Sequence, residues 1–282
     1  MPPVALVTDS TTYIPKDILA DLPITVLPQV LIFGETTYRD GIDIQPDEFY
    51  TKLKKATVMP TTSQVTIASF VEAFNKLLDQ GYDVLAVLVS AKLSGTIDSA
   101  IQACDMLPGK PIRIVDSHSV AMAMGFQVLS VARAAKGGAS LDECVALAEE
   151  ARNHTGVVFA VDTLEFLHRG GRIGGATRYL ATALNIKPIL EVTGGRVEPI
   201  ERVRTRRKSL ERVVEIIEER IGGQTPVRLA TLHANSREEA QEILDLASQR
   251  LNPVESIFSE VSPVVGTHAG PGTVGLAYMA GM

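Results

Sequence analysis

The sequence predicts an α/β protein in two parts, an N-terminal domain on a parallel sheet and a C-terminal domain with a mixed sheet. Three observations carry this. Short apolar runs alternate with helical patterns through the first half, the rhythm of strand–helix–strand units whose parallel sheet is covered on both sides. After Gly156 the rhythm changes, and two apolar runs flank Thr193-Gly194-Gly195-Arg196, a hairpin signature that implies antiparallel pairing. The chain has 282 residues, 45% of them hydrophobic, enough for one large core or two modest ones. The change of rhythm places the domain boundary near 153–157, giving domains 1–155 and 156–282.

Taken in order, strands are expected at Val4–Thr8, Ile24–Phe33, Val84–Val89 and Ile112–Val115. Helices are expected near Pro15–Asp21, Pro46–Lys55, Ile67–Gln80, Thr96–Met106, Val120–Lys136 and Leu141–Asn153, the last with Ser140 as its cap. The second half opens with a strand at Val157–Val161, a short helix and the glycine-rich "RGGRIGG". The hairpin follows, then helix Thr205–Ile221, strand Val227–His233, helix Arg237–Leu251, strand Glu255–Glu260 and a terminal helix.

Composition narrows the function. A net charge of −6 without tryptophan argues against a nucleic-acid surface, which needs clustered positive charge. Cys104 and Cys144 form no CxxC pair and have no histidine at ligand spacing, so neither a zinc site nor a disulfide framework is expected. The start, "MPPVALVTDS", enters a strand at once, and no apolar run approaches membrane-spanning length. A cytoplasmic location is expected, with no cofactor and no metal.

Five stretches hold chemistry-bearing residues. "PTTSQVTIASF" (60–70) places Thr61, Thr62 and Ser63 ahead of a helix, where capping needs one hydroxyl. "SAKLSGT" (90–96) delivers Ser94 and Gly95 from the C-terminal end of a parallel strand to a helix start, where anions bind and ligands tend to sit. Together the two loops offer an oxyanion neutral donors, the Thr62 and Ser94 hydroxyls with backbone N–H groups near Gly95. "VDTLEFLHRGGRIGG" (161–175) sets Arg172 on a tight glycine bend. "ERVRTRRKSLERVVE" (201–215) gathers Arg202, Arg204, Arg206, Arg207, Lys208 and Arg212 at a helix N-terminus, against the macrodipole, which points to an acidic visitor or to one solvated face. "GTHAGPGTVG" (266–275) puts His268 at a strand-to-loop edge among small and rigid residues, a shaped binding loop rather than a dinucleotide fingerprint. Asp9, Asp40, Asp43 and Asp116 are candidate acids, though capping and turn roles explain each equally well. No P-loop, GxSxG or HExxH motif occurs.

Taken together these stretches resemble the DegV family along the whole chain. The resemblance rests on "VTDSTTYIP" (7–15), "PTTSQ" (60–64), "LSGTIDSA" (93–100), "VDTLEFLHRGGRI" (161–173), "KPIL" (187–190), "VRTRRKSL" (203–210) and "HAGPG" (268–272), in the family's order. Val65 departs from it, since many members have proline there. The resemblance implies a two-domain α/β fold that binds a long-chain fatty acid (C14–C18, palmitate for example) between the domains. It implies a non-catalytic subunit that presents the acid to a fatty acid kinase for phosphorylation. By motif position Thr62 and Ser94, with Gly95, would hold the carboxylate. Arg172, Arg204 and His268 would lie near the pocket mouth, facing the kinase or the acyl phosphate.

Simple physics agrees with such a ligand. A buried acyl tail contributes about 0.8 kcal/mol per methylene, so the head group needs only to have its oxygens satisfied. Ser94 is expected both to cap its helix and to hold the ligand. The helix of small residues and methionines at 119–135 is expected either to wall an acyl tunnel or to be ordinary core. Two other functions fit the residues less fully. One is a lipid sensor or carrier without a kinase. The other is a phosphoryl-transfer enzyme, which would need a nucleotide loop and clustered magnesium carboxylates.

Overall fold

Runs of β-branched and aliphatic residues form the strands, and the order in which those strands pair makes the cavity described below. The computed structural model describes residues 2–182 and 186–282. Strands β1 (Val4–Asp9), β2 (Ile24–Leu27), β6 (Asp83–Leu88) and β7 (Ile112–Asp116) form an all-parallel sheet in the order β2-β1-β6-β7. Successive strands leave β1 on one side and β6 on the other. The carboxyl ends of these two neighbours are therefore the switch point where open α/β sheets bind ligands. Helices α3 (Ile67–Asp79) and α4 (Thr96–Asp105) cover one face of this sheet, through Phe70, Phe74, Ala100 and Ala103.

The hairpin strands β3 (Val30–Phe33) and β4 (Thr36–Arg39), with β5 (Thr61–Ser63), make a separate three-stranded antiparallel sheet in the order β4-β3-β5. Two expectations change here. The strand expected over 24–33 is broken at Pro28-Gln29, because proline cannot donate to a ladder. Its first half joins the parallel sheet and its second half joins the small one. The hydroxyl-rich 61–63 segment is a strand and not a cap, with Thr62 opposite Leu31. The cap of α3 is Thr66, which accepts from Ser69 N at 3.1 Å. Helices α1 (Lys16–Leu19) and α2 (Pro46–Lys55) lie in the connections.

Past helices α5 (Ala121–Lys136) and α6 (Leu141–His154), the rest of the chain builds a six-stranded mixed sheet. Its strands are β8 (Thr155–Ala160), β9 (Lys187–Thr193), β10 (Arg196–Val203), β11 (Val227–His233), β12 (Glu255–Ile257) and β13 (Val274–Ala280), in the order β10-β9-β8-β13-β11-β12. Only β11 and β12 are parallel neighbours. The expected hairpin is there, with Arg196 opposite Thr193 and positive φ at Gly194 (54°) and Gly195 (81°). Helices α7 (Glu165–Arg169), α8 (Arg206–Ile221), α9 (Arg237–Leu251) and α10 (Pro263–Ala269) complete the chain, with a 3₁₀ helix at Gly174–Thr182. The long helices α8 and α9 cover one face of the six-stranded sheet.

The terminal segment is a strand where a helix was expected. β13 lies between β8 and β11, antiparallel to both. Most of its residues are buried, so its apolar run does not alternate and periodicity cannot separate it from a buried helix. The helix of this region comes earlier, as α10, with Ser262 accepting from Val265 N at 3.3 Å and Pro263 at its first position.

α5 holds the two large sheets together. Its residues are buried around almost the whole circumference, and it packs on β1 and β6 from one sheet and on β8, β11 and β13 from the other. A helix apolar on all sides belongs in an interior. The same buried cluster takes in Leu6 and Leu85 from one sheet, Phe126 and Leu129 from α5, and Ala230 and Met279 from the other sheet. Phe126→Ala should therefore cost about 3–5 kcal/mol of stability, and Ile101→Ala on exposed α4 surface less than about 0.5 kcal/mol. Urea midpoints of the two variants check this; equal shifts would contradict the central role of α5.

Candidate functional site

The site forms at the switch point, where buried carboxylates tie loops together. Asp9 ends β1 and is fully buried, and its carboxylate accepts four hydrogen bonds. Two come from Thr11 (N at 3.0 Å, Oγ1 at 2.6 Å), one from Gln29 Nε2 (3.2 Å) and one from Val89 N, just past β6 (2.8 Å). Burial pushes the Asp9 carboxyl up, and these donors work against it. Asp40 does the same between distant segments. It accepts from Ser10 Oγ at 2.6 Å and from Val264 N of α10 at 3.2 Å, and burial raises its pKa to about 6. Asp43 pairs with Arg39 (2.8 Å), and Asp116 accepts from Ala91 N and His118 N. All four candidate acids thus have capping, turn or tethering roles.

Beside these ties a cavity opens between the parallel and the mixed sheet. One wall is the inner face of the mixed sheet. Val157 and Phe159 alternate along β8, Val192 and Val197 are opposite each other in the hairpin, and Leu232 lies on β11. Val89 and Leu93 from the loop after β6, Val120 and Ala121 at the start of α5, and Val261, Val264 and Val265 around α10 supply the rest. Of the small-residue helix only this first turn reaches the cavity, and the remainder is core. The buried polar residues Thr11, Gln29 and Thr273 also line it, with donors turned elsewhere: Thr11 and Gln29 onto Asp9, Thr273 Oγ1 onto Ala269 O.

Polar atoms gather at the less buried end. Thr62, held by the β5–β3 pairing, has its hydroxyl 2.8 Å from His268 Nε2. His268 comes from the last turn of α10, not from the strand-to-loop edge expected. Burial, and secondarily the Arg172 charge, hold its pKa down to about 4, so the ring is neutral at neutral pH. Its Nδ1 is buried without a partner because Gly170 packs against it. A Cβ at residue 170 would lie 2.1 Å from that nitrogen, so only glycine fits. Arg172 donates from Nε to Leu93 O (3.0 Å) and from Nη1 to Gly170 O (2.8 Å), clasping the two loops that border the mouth.

Ser94 lines the cavity, but it is not the cap expected. The N-cap of α4 is Gly95, and the Ser94 hydroxyl pairs with Thr96 Oγ1 at 2.9 Å. Gly95 itself does not line the cavity and faces the Gln64 side chain. Arg204 is not brought to the site either. It is exposed between β10 and α8 and makes no hydrogen bond or ion pair among the described residues. Much of the basic run beside it is neutralised internally. Arg206 pairs with Glu239 and Asp162, Arg207 with Glu211, and Arg212 with Glu201, Glu215 and Glu219. Gln64 and the valine wall were missed in the sequence, although the period of two along β8 and the hairpin register would have put Val157, Phe159, Val192 and Val197 on one face.

Among the described residues no helix is long and apolar enough to cross a membrane, and no His, Cys, Asp and Glu gather as a metal site. The suppressed basicity of His268 has a thermodynamic consequence. The unfolded chain takes up this proton near pH 6.5 and the folded chain only near 4, so stability falls as pH drops through that interval and levels off below it. Asp40 acts oppositely, its contribution being lost as pH rises from 3.8 through about 6. His268→Gln should therefore lose less stability than the wild type between pH 7 and about 4.5. Melting temperatures across that range check this, and parallel curves would mean that His268 titrates normally.

The comparisons with known proteins agree with this architecture. The sequence model described as an uncharacterised protein of the DegV family matches residues 3–281. A DegV domain-containing protein of Streptomyces coelicolor is 38% identical over 275 residues, 97% of each chain. A solved DegV family structure from Thermus thermophilus, described by its fatty acid binding, superposes with a TM-score of 0.94 at 33% identity, covering 99% of both chains. DegV of Bacillus subtilis, described as a fatty acid binding protein, superposes with a TM-score of 0.90 at 35% identity, over 99% of this chain and 100% of that one. With its whole length matched in sequence and in fold, this chain belongs to the DegV family.

Proposed function

We propose that this protein binds a long-chain fatty acid, with the tail in the cavity between the sheets and the carboxylate at Thr62, Ser94 and His268. The observation that carries this reading is the cavity's division into a wall of buried aliphatic side chains and one polar end. Such a shape suits a ligand that is apolar along its length and charged at one tip. The solved relatives described as fatty acid binders support it. We place the domains at 1–155 and 156–282, since the strands of the parallel sheet precede that boundary and nearly all of the mixed sheet follows it.

The head group meets neutral donors. With its proton on Nε2, His268 donates to Thr62 Oγ1 and leaves the Thr62 hydroxyl proton for a carboxylate oxygen. Nδ1 then presents a lone pair to Gly170, which is easier to leave unpaired than an N–H. The Ser94 hydroxyl, released from Thr96, donates to the second oxygen. No cation neutralises the carboxylate directly, so it stays nucleophilic toward an incoming phosphoryl group. In this reading the chain performs no chemistry of its own. It serves in the cytoplasm as the substrate-carrying subunit of a fatty acid kinase, with Arg172 bordering the mouth the kinase would face.

Protein purified without added lipid should release a C14–C18 acid on organic extraction. Thr62→Val and Ser94→Ala should each weaken binding by about 1.5–3 kcal/mol, the worth of one hydrogen bond to a charged oxygen, and leave the fold intact. Mass spectrometry of the extract and lipid titration of the variants test both points. An extract without acyl species, together with no uptake of palmitate or oleate, would overturn the reading.

The internal pairing of Arg206, Arg207 and Arg212 favours a second reading, a lipid carrier with no kinase, because little free charge is left on that surface. Arg204, exposed and without an ion pair among the described residues, separates the two. Arg204→Glu should leave lipid binding unchanged and slow acyl phosphate formation by a cognate kinase, through repulsion at a docking surface. Unaltered phosphorylation would remove Arg204 from any partner contact.

A further inference from the structure

Val261 lines the lipid cavity, while its chain neighbours Ser259 and Glu260 line a second one with Tyr13, Lys16, His233 and Arg237. The second cavity also lies where the first and second halves of the chain meet, and it contains basic groups without partners. His233, at the end of β11, is only 4% exposed, and neither of its ring nitrogens has a hydrogen-bond partner. Buried imidazoles ordinarily satisfy at least one nitrogen, so an orphaned pair asks for an explanation. The ring packs on Phe258 with centroids 5.4 Å apart, and the Arg237 guanidinium lies 4.6 Å from the Phe258 ring centre. Apart from that stacking, Arg237 makes no hydrogen bond or salt bridge among the described residues, and neither does Lys16.

The other polar groups of the cavity are occupied or opposed. Tyr13 donates to Gln45 Oε1, Gln45 donates to Gly41 O, and Ser259 Oγ donates to Tyr13 O. Glu260 is the one carboxyl in the lining. Burial and the charge of Asp47, which stands outside the lining, push its pKa up, while Arg237 pulls it down. Two unpaired cations thus line the cavity with one carboxyl, and the Asp47 carboxylate stands behind it. Arg237 is also the first residue of α9, where the positive end of that helix dipole falls. Water could satisfy the imidazole, but it would leave Arg237 and Lys16 without an ion partner. An anion answers both.

We propose that this second cavity binds a small oxyanion, a carboxylate or phosphate group, between Arg237 and Lys16, with a ring N–H of the buried His233 as a further donor. The site is separate from the fatty acid cavity and does not depend on the reading of that cavity. Its test uses the full chain, labelled with ¹⁵N, and follows the histidine ring nitrogens during titration with sodium phosphate and, separately, sodium acetate. Ionic strength is held constant with chloride. The expected result is a saturable change at His233 with none at the exposed His118. Arg237→Gln and Lys16→Gln should each weaken apparent affinity about tenfold or more. Both side chains are exposed, so the fold should tolerate either change. Saturation with phosphate alone assigns a phosphate group, with acetate alone a carboxylate, and with both the shared oxyanion chemistry. The absence of saturation with either anion, or identical curves in both variants, would overturn the proposal.

Discussion

The architecture depends on one helix being buried on nearly every side. α5 gives water little beyond Arg133 and Lys136 near its end, so it is stable only where both sides are covered, and the two large sheets supply that cover. Because α5 begins just beyond β7, its first residues stand beside the carboxyl end of the parallel sheet. There Val120 and Ala121 become part of the cavity while the following turns become core. The cavity lies beside the start of this helix and is lined from both large sheets and their loops. Its position follows from the packing that holds the halves together, and so does its apolar character.

Buried carboxylates then define the shape of that space. Asp9 joins the ends of β1 and β6, and Asp40 joins the Ser10 turn to the start of α10. Each is costly to bury, and each offsets that cost with several donors from segments that are far apart in the chain. The arrangement explains why the "TDS" stretch near the N-terminus carries no direct role at the cavity's polar end. It positions the elements that do. α10, anchored through Asp40, carries His268 to the Thr62 hydroxyl of β5. The glycine bend after α7 leaves room for the imidazole and no room for a side chain.

The electrostatics of the polar end follow from the same packing. His268 is neutral because it is buried and because Arg172 stands near, and Arg172 is there to hold the Leu93 and Gly170 carbonyls. A guanidinium occupied with two loop carbonyls contributes a background field more than a clamp. The Thr62 and Ser94 hydroxyls remain as neutral donors at this end, with the imidazole holding the Thr62 hydroxyl in place.

The sequence by itself determined the alternation of strands and helices, the hairpin at Gly194-Gly195 and the change of sheet type in the second half, because local periodicity and turn chemistry are properties of neighbouring residues. It also singled out Thr62, Ser94, Arg172 and His268, which stand where hydroxyls, glycines and cations break the pattern their surroundings would follow. Only the tertiary structure decided that the terminal run is a strand between two others, since burial on both faces erases the alternation that marks a strand. It decided as well that Gly95 and not Ser94 caps α4, that Arg204 lies away from the cavity, and that Arg206 and Arg212 beside it are answered by carboxylates from other elements. The His268–Thr62 pair joins residues 206 positions apart, and the orphaned His233 lines one cavity with Lys16 from the other half of the chain. Contacts of that range are set by how sheets pack on a shared helix, and no window of adjacent residues encodes them.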